Sequence, residues 1–416
     1  MTGTLDDTTT APDARDERLI RPNGVAGQWR AARSRISKGD LGSLPVIVGL
    51  AIIWVVFQML NPFFLSSANL VNLAVECAAI GTIAIGVVLV LLVAQIDLSI
   101  GSISGVASAI AAVGFIHLDW PLWFSVGLGI LSGVVIGWIY GLIYARFGVP
   151  TFVITLAGLM GVLGLQLWIL GTNGSINIPF DSWLVDFAQQ LFVPAVVSYA
   201  LVIVAVAAYG GSGLLNARKR AAAGLTATPT ATIVAKSIAL LVVLGVTVWY
   251  LNLTRGVAVV FLTFVLFVVI INYALTRTRW GRAVYAVGGS VEAARRAGIN
   301  VNRIFISCLV LGGAFAAIGG VFAAGRLASA GVASGGGDTN LMAIAAAVIG
   351  GTSLFGGRGN AWSALLGIVV IQSIANGLTL LSLDTSVRYM VTGAVLLLAV
   401  VIDSMSRRSR AMHGQA

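Results

Sequence analysis

Side chains able to do chemistry are scarce in this chain, and the scarcity narrows what it can be. Its 416 residues include 15 Asp and Glu, 2 His and 2 Cys. Covalent catalysis needs a nucleophile or a metal, a base, and a group that orients them. No Ser/His/Asp grouping and no metal-spaced set of His and Cys occurs. Cys77 and Cys308 each lie inside an apolar run, where a thiol behaves as a small hydrophobe. His117 falls near a helix end and His413 in the C-terminal tail, neither beside residues that would complete a metal site. The phosphate-cradling loop G-x-x-x-x-G-K followed by Ser or Thr is absent, and Lys38, Lys219 and Lys236 are the only lysines. The chain is therefore not expected to be an enzyme. No cofactor is expected on it, and any ATP that powers it must be hydrolysed by another chain.

Three stretches keep a functional reading. In "QIDLSIG" (95–101), Asp97 and Ser99 stand at a polar turn beside an apolar run. A carboxylate there caps a helix by accepting backbone N–H bonds, or it lines the path of a substrate, the usual reason for an ionisable group at a membrane edge. In "VIGGTSLFGGRGNAW" (348–362), Thr352 and Ser353 sit among glycines. Glycine permits tight turns, so the plain reading is a close helix–helix connection. A broken helix lining a polar cavity is the functional one, tolerable at membrane depth only there, and it would suit a neutral hydroxylated solute. Asp97-Leu98…Gly101 and Ser353-Leu354…Gly357 echo each other, as internal duplications in transporters do. The third stretch, "GSVEAARRAGI" (289–299), reads as a short amphipathic helix in water, stopped by Gly298.

The elements that must carry these residues are apolar helices. Hydrophobic residues make up 58% and charged residues 10% of the chain, and mean hydropathy is +0.98. Soluble domains carry about 25% charged residues, so the chain is an integral membrane protein. Runs of about 20 apolar residues indicate spanning helices rather than barrel strands. Twelve spans are expected, near 44–60, 74–94, 99–117, 121–144, 151–170, 191–210, 233–251, 257–275, 304–325, 340–355, 361–381 and 387–404, an all-α bundle of about 10–12 transmembrane helices. Residues 1–43 and 406–416 read as polar cytoplasmic tails, the first disordered, around a membrane domain at 44–405.

Charge sets the expected orientation. With both termini inside, all of the 25 basic residues except Arg255, Arg326 and Arg388 fall on the cytoplasmic side, as the positive-inside rule requires. The net charge of +10 is accounted for by topology, so no nucleic acid partner is expected. The basic loop 276–303, which holds "GSVEAARRAGI", then faces the cytoplasm. Gly133, Gly137 and Gly141 share one helix face at four-residue spacing and predict close packing against another helix.

"EAARRAG" (292–298) resembles the EAA signature of permease subunits in bacterial ABC importers, with Glu292, Ala293, Ala294 and Gly298 at the matching positions. "QIDLSIGSISG" (95–105), "GVPTFVITLAGLMGVLGL" (148–165), "RWGRAVYAVGGSVEAARRAGINV" (279–301) and "VIGGTSLFGGRGN" (348–360) are similar to stretches of the ribose/xylose-type monosaccharide permeases. The resemblance covers roughly 65 to 405, and the chain's length is similar to the longer xylose-type members. It implies a multi-pass subunit of a bacterial cytoplasmic (inner) membrane, working as a pair of permeases. Its implied partners are a cytoplasmic ATP-binding subunit, which holds ATP and Mg, and an extracytoplasmic sugar-binding protein. It also implies that the helix at 292–298 couples to the ATPase. The competing reading is a stand-alone secondary carrier or facilitator; uncharged midplanes count against proton coupling but not against facilitated diffusion.

Overall fold

The computed structural model describes residues 44–401, apart from 385, 388, 395, 396 and 398–400. Its spine is α2 (Ser67–Leu92), apolar on every face from Ile83 onward, the pattern of a helix surrounded by protein. Every residue from Gly81 to Leu92 is buried. At 1.5 Å per residue α2 is about 39 Å long, enough to cross the roughly 30 Å hydrocarbon core. It begins seven residues before the expected position 74, because Ser66 caps it by accepting a bond from Asn69 N at 3.3 Å. A hydropathy window leaves Asn69 outside the span and Glu76 near its edge, but both side chains find partners on a neighbouring helix.

Helix α1 (Leu44–Leu60) precedes the spine, and α3 (Ile100–Ile116), α4 (Leu122–Phe147) and α5 (Thr151–Leu170) follow it. After a segment treated below come α8 (Val259–Arg277), the short α9 (Arg279–Gly289) and α10 (Val291–Arg296), then α11 (Val301–Leu327), α12 (Gly337–Ile349) and α13 (Trp362–Leu380). Helix α11 packs on α2, α3 and α4. It runs antiparallel to α2, since Gly312 meets Gly86 while Gly319 meets Ala79 and Ile83. The glycine stripe on α4 closes onto α11 as its spacing predicts. A methyl group on Gly133 would lie 2.2 Å from Gly313 O, so only glycine lets the backbones approach this far. Helix α13 lies against α1, α2 and α12, and α5 lies against α3. Two short strands, Ser175–Asn177 and Ser329–Gly331, pair antiparallel beside α3, with Ile176 and Ala330 buried under them.

Residues 193–256 form a compact unit of their own. It is a hairpin of α6 (Ala195–Ala222) and α7 (Thr230–Leu251), each entered through a proline, Pro194 and Pro229, whose fixed φ suits a helix start. Gly210 faces Ser237 and Gly213 faces Ile233 across the hairpin. Apolar side chains such as Val196 and Val243 point outward, as a lipid-facing surface requires. Helix α6 outruns its expected end at 210: "GGSG" dilutes the hydropathy but not the helix, which closes on Lys219 and Arg220 in its last turn.

Among the described residues, eight helices (α2, α4, α5, α6, α7, α8, α11 and α13) are long and apolar enough to cross a membrane, and α1, α3 and α12 are shorter apolar helices. The protein is a polytopic helical membrane protein. The span expected at 340–355 ends at Ile349, and the remainder is a glycine turn. Half of the span expected at 387–404 falls outside the described residues.

Candidate functional site

The charged stretch is a helix–helix corner between α8 and α11. Thr278 caps α9, its Oγ1 accepting from Gly281 N at 3.1 Å. Ser290 caps α10, its Oγ accepting from Ala293 N at 3.3 Å. Gly298, at φ +79°, ends α10: Gly298 N donates to Arg295 O and Ile299 N to Ala294 O, each at 3.0 Å, the Schellman arrangement. Asn300 then caps α11 by accepting from Arg303 N at 3.1 Å. Caps at each junction hold a six-residue helix that could not persist alone. Glu292, Ala293, Arg295, Arg296 and Gly298 are exposed, whereas Ala294 is buried against the bundle. Glu292 and Arg295 are paired at 3.4 Å with both side chains mostly in solvent, so the pair adds little to stability. The corner thus presents one carboxylate, two guanidinium groups and a small face, with Ala294 as its foot.

Helix α9 ties this corner to the membrane helices. A methyl group on Gly288 would lie 1.8 Å from Leu92 O, the end of α2. Gly357 N donates to that same Leu92 O at 2.9 Å, and Gly356 packs on Ala94. Tyr285 Oη donates to Gly359 O at 2.8 Å, and Trp280 Nε1 donates to Ser307 Oγ at 2.8 Å. Burial pushes the Tyr285 phenol above its ordinary value, so it remains a donor at neutral pH. One short helix therefore grips α2, α11 and the 350–361 turn together.

The segment 93–99 between α2 and α3 is non-helical, and side chains satisfy it. Leu98 N donates to Thr155 Oγ1 at 3.2 Å, and Leu98 O accepts from Asn340 Nδ2 at 2.8 Å. Thr151 Oγ1 donates to Gln95 Oε1. Asp97 is buried, and its Oδ1 accepts from Ser99 N at 2.8 Å and Ser99 Oγ at 2.7 Å. This is an Asx turn: the carboxylate shapes the entry to α3 two residues before the helix cap at Ser99. Thr352 and Ser353 are buried in the turn between α12 and α13, where Ser353 N donates to Arg358 O at 2.9 Å and Ser353 Oγ accepts from Phe355 N at 3.2 Å. Gly351, Gly356, Gly357 and Gly359 take positive φ there, as a tight connection requires. The second echoing stretch meets not the first but the residues just before it, Gly357 on Leu92 and Gly356 on Ala94. Asp97 and Ser353 each serve their own turn.

Comparison with known proteins shows the family. The family described as "Branched-chain amino acid transport system / permease component" matches residues 69–400. The chain belongs to this permease family. The xylose transport system permease protein of Escherichia coli strain K12 is 36% identical over 346 residues, covering 83% of this chain and 87% of that one. The ribose import permease protein of Bacillus subtilis strain 168 is 31% identical over 365 residues, covering 88% and 94%. The fructose import permease protein of Rhizobium meliloti is 29% identical over 371 residues, covering 88% and 86%. No solved structure matches.

The permease also contains a polar cluster that sequence reasoning did not assemble. Glu76 on α2 accepts from Arg326 Nη2 on α11 at 2.8 Å through Oε1. Its Oε2 accepts from Gln372 Nε2 at 2.9 Å and Asn376 Nδ2 at 3.4 Å, both on α13. Asn69 Nδ2 donates to Asn376 Oδ1 at 2.8 Å. The expected span 74–94 leaves Glu76 near its edge and 304–325 leaves Arg326 outside the membrane, because both helices extend further at that end. The readable signal was spacing: Asn69 and Glu76 at i, i+7 and Gln372 and Asn376 at i, i+4 each place polar groups on one face of an apolar helix.

Proposed function

We propose that this chain is the permease subunit of an ATP-driven importer of a monosaccharide, with xylose the first candidate. The observation that carries the reading is a match running from 69 to 400, in which a xylose permease shares 36% identity over 83% of this chain. In this reading both termini and the α9–α10 corner lie in the cytoplasm, supported by the distribution of basic residues. A separate ATPase docks on α10, whose exposed Glu292, Ala293 and Gly298 supply the contact while Ala294 seats the helix on its own bundle. Two permeases form the path, and an extracytoplasmic binding protein delivers the sugar.

The mechanism follows from rigidity. ATP chemistry occurs in water, and the gate lies in lipid, so force must pass through a stiff connection. Movement of α10 is carried by α9, which is locked to the end of α2 through Gly288 and to the 350–361 turn through Tyr285. Displacing that grip shifts α2 against α11 and α13, the helices that hold the polar cluster. No covalent step is required of this chain.

The test is uptake into proteoliposomes containing the permease, its ATPase and its binding protein. Labelled xylose, ribose, fructose and leucine are compared. Saturable sugar uptake with xylose foremost is expected. Leucine uptake without sugar uptake would overturn the reading, since the family's description also covers amino acid systems.

A further inference from the structure

We propose that Glu76, Arg326, Gln372 and Asn376 form a sugar-contacting subsite on the translocation path; this rests on the importer reading. The cluster joins α2, α11 and α13 near the end of α2 opposite Leu92 and Gly288. Glu76 and Leu92 are sixteen residues apart, about 24 Å along the helix, so the cluster is far from the coupling corner.

A purely structural ion pair is a poor explanation for it. Apolar side chains of similar volume would join three membrane helices as well or better than a desolvated pair. This pair is also not sealed: the Arg326 side chain is 35% exposed and that of Glu76 is 19% exposed. An ionisable pair left partly open inside a helical bundle is, by default, the mark of a substrate route.

The hydrogen-bonding capacity of the cluster states what it would hold. The Glu76 carboxylate accepts three bonds and is largely occupied. The Arg326 guanidinium carries five N–H donors, of which Nη2 is used on Glu76. Gln372 is nine-tenths buried, yet its Oε1 has no hydrogen-bond partner. An orphaned buried acceptor beside spare donors calls for a ligand group that both donates and accepts. A hydroxyl does both. Charge points the same way: Glu76 and Arg326 cancel, so neither an anion nor a cation is favoured. A neutral polyol such as a monosaccharide is the matching class.

The experiment uses the complete transporter and two sugars that differ at one hydroxyl and are delivered by the same binding protein. Wild type provides the reference, so absence of any uptake in it would count against the importer reading alone. Gln372→Met keeps the side-chain volume and removes the amide. It is expected to shift the uptake ratio of the two sugars by about fivefold, the size of one neutral hydrogen bond. The charge-reversed double variant Glu76→Arg/Arg326→Glu restores an ion pair with its geometry inverted. It is expected to regain the thermal transition lost in Glu76→Arg alone while the sugar ratio stays altered. An unchanged ratio in Gln372→Met, or a double variant that recovers the wild-type ratio, would overturn the proposal and leave the cluster as packing.

Discussion

Gly288 faces Leu92 O so closely that a β-carbon would sit 1.8 Å from it, while its neighbour Gly289 has open space where its β-carbon would stand. The two positions therefore make a matched pair. Gly288→Val must push α9 off the end of α2, an overpacking cost of about 1–3 kcal/mol. It is expected to lower both the thermal transition in detergent and sugar uptake, while Gly289→Ala changes neither; equal effects would contradict the grip described for α9. Asp97 is the second residue-scale case. Because Oδ1 accepts from both Ser99 N and Ser99 Oγ, Asp97→Asn retains the turn and is expected to keep uptake near wild type. Asp97→Leu strands two donors and should cost about 1–3 kcal/mol. A folded Asp97→Asn protein without transport would move Asp97 from the turn to the substrate path.

At the scale of elements, α10 carries the prediction that separates coupling from stability. Glu292 is exposed and its ion pair with Arg295 is solvent-screened, so Glu292→Ala is expected to leave the thermal transition unchanged. Co-purification with the ATPase subunit is expected to fall sharply in the same variant. Normal capture would remove Glu292 from the docking surface. Bulk at Ala294 acts differently, because that residue is buried under α10 and a larger side chain would lift the helix from its seat. On α4, Gly137 lies against Leu309 O while Gly127 has open space at its β-position. Gly137→Leu should therefore disrupt the α4–α11 contact and Gly127→Leu should not, as read by thermal unfolding.

These elements also show what was legible beforehand. Helix existence and the glycine stripe on α4 follow from composition and four-residue spacing, which are local properties. Helix ends depart from the sequence expectation where a polar side chain finds a partner on another helix, as Asn69 does, or where glycines dilute hydropathy without breaking the helix, as in α6. The cap-and-stop pattern of α10 was readable from Gly298, but the burial of Ala294 was not, because it depends on which side of a six-residue helix meets the bundle. The polar cluster is not legible in the sequence because its members lie up to 307 positions apart. Only packing brings them to one place.

For the whole molecule, the central claim is that this permease moves nothing without a separate engine. Its own chain has no nucleotide-cradling loop, and among the described residues no group of three metal-binding side chains occurs. In the proposed mechanism, conformational work enters at the α9–α10 corner and leaves as a shift of α2 against α11 and α13. The most direct measurement is sugar accumulation in proteoliposomes, comparing the complete transporter with preparations lacking the ATPase or the binding protein. The account predicts ATP-dependent accumulation in the complete system and none when either partner is left out. Uptake by this chain alone, with no ATP present, would contradict it.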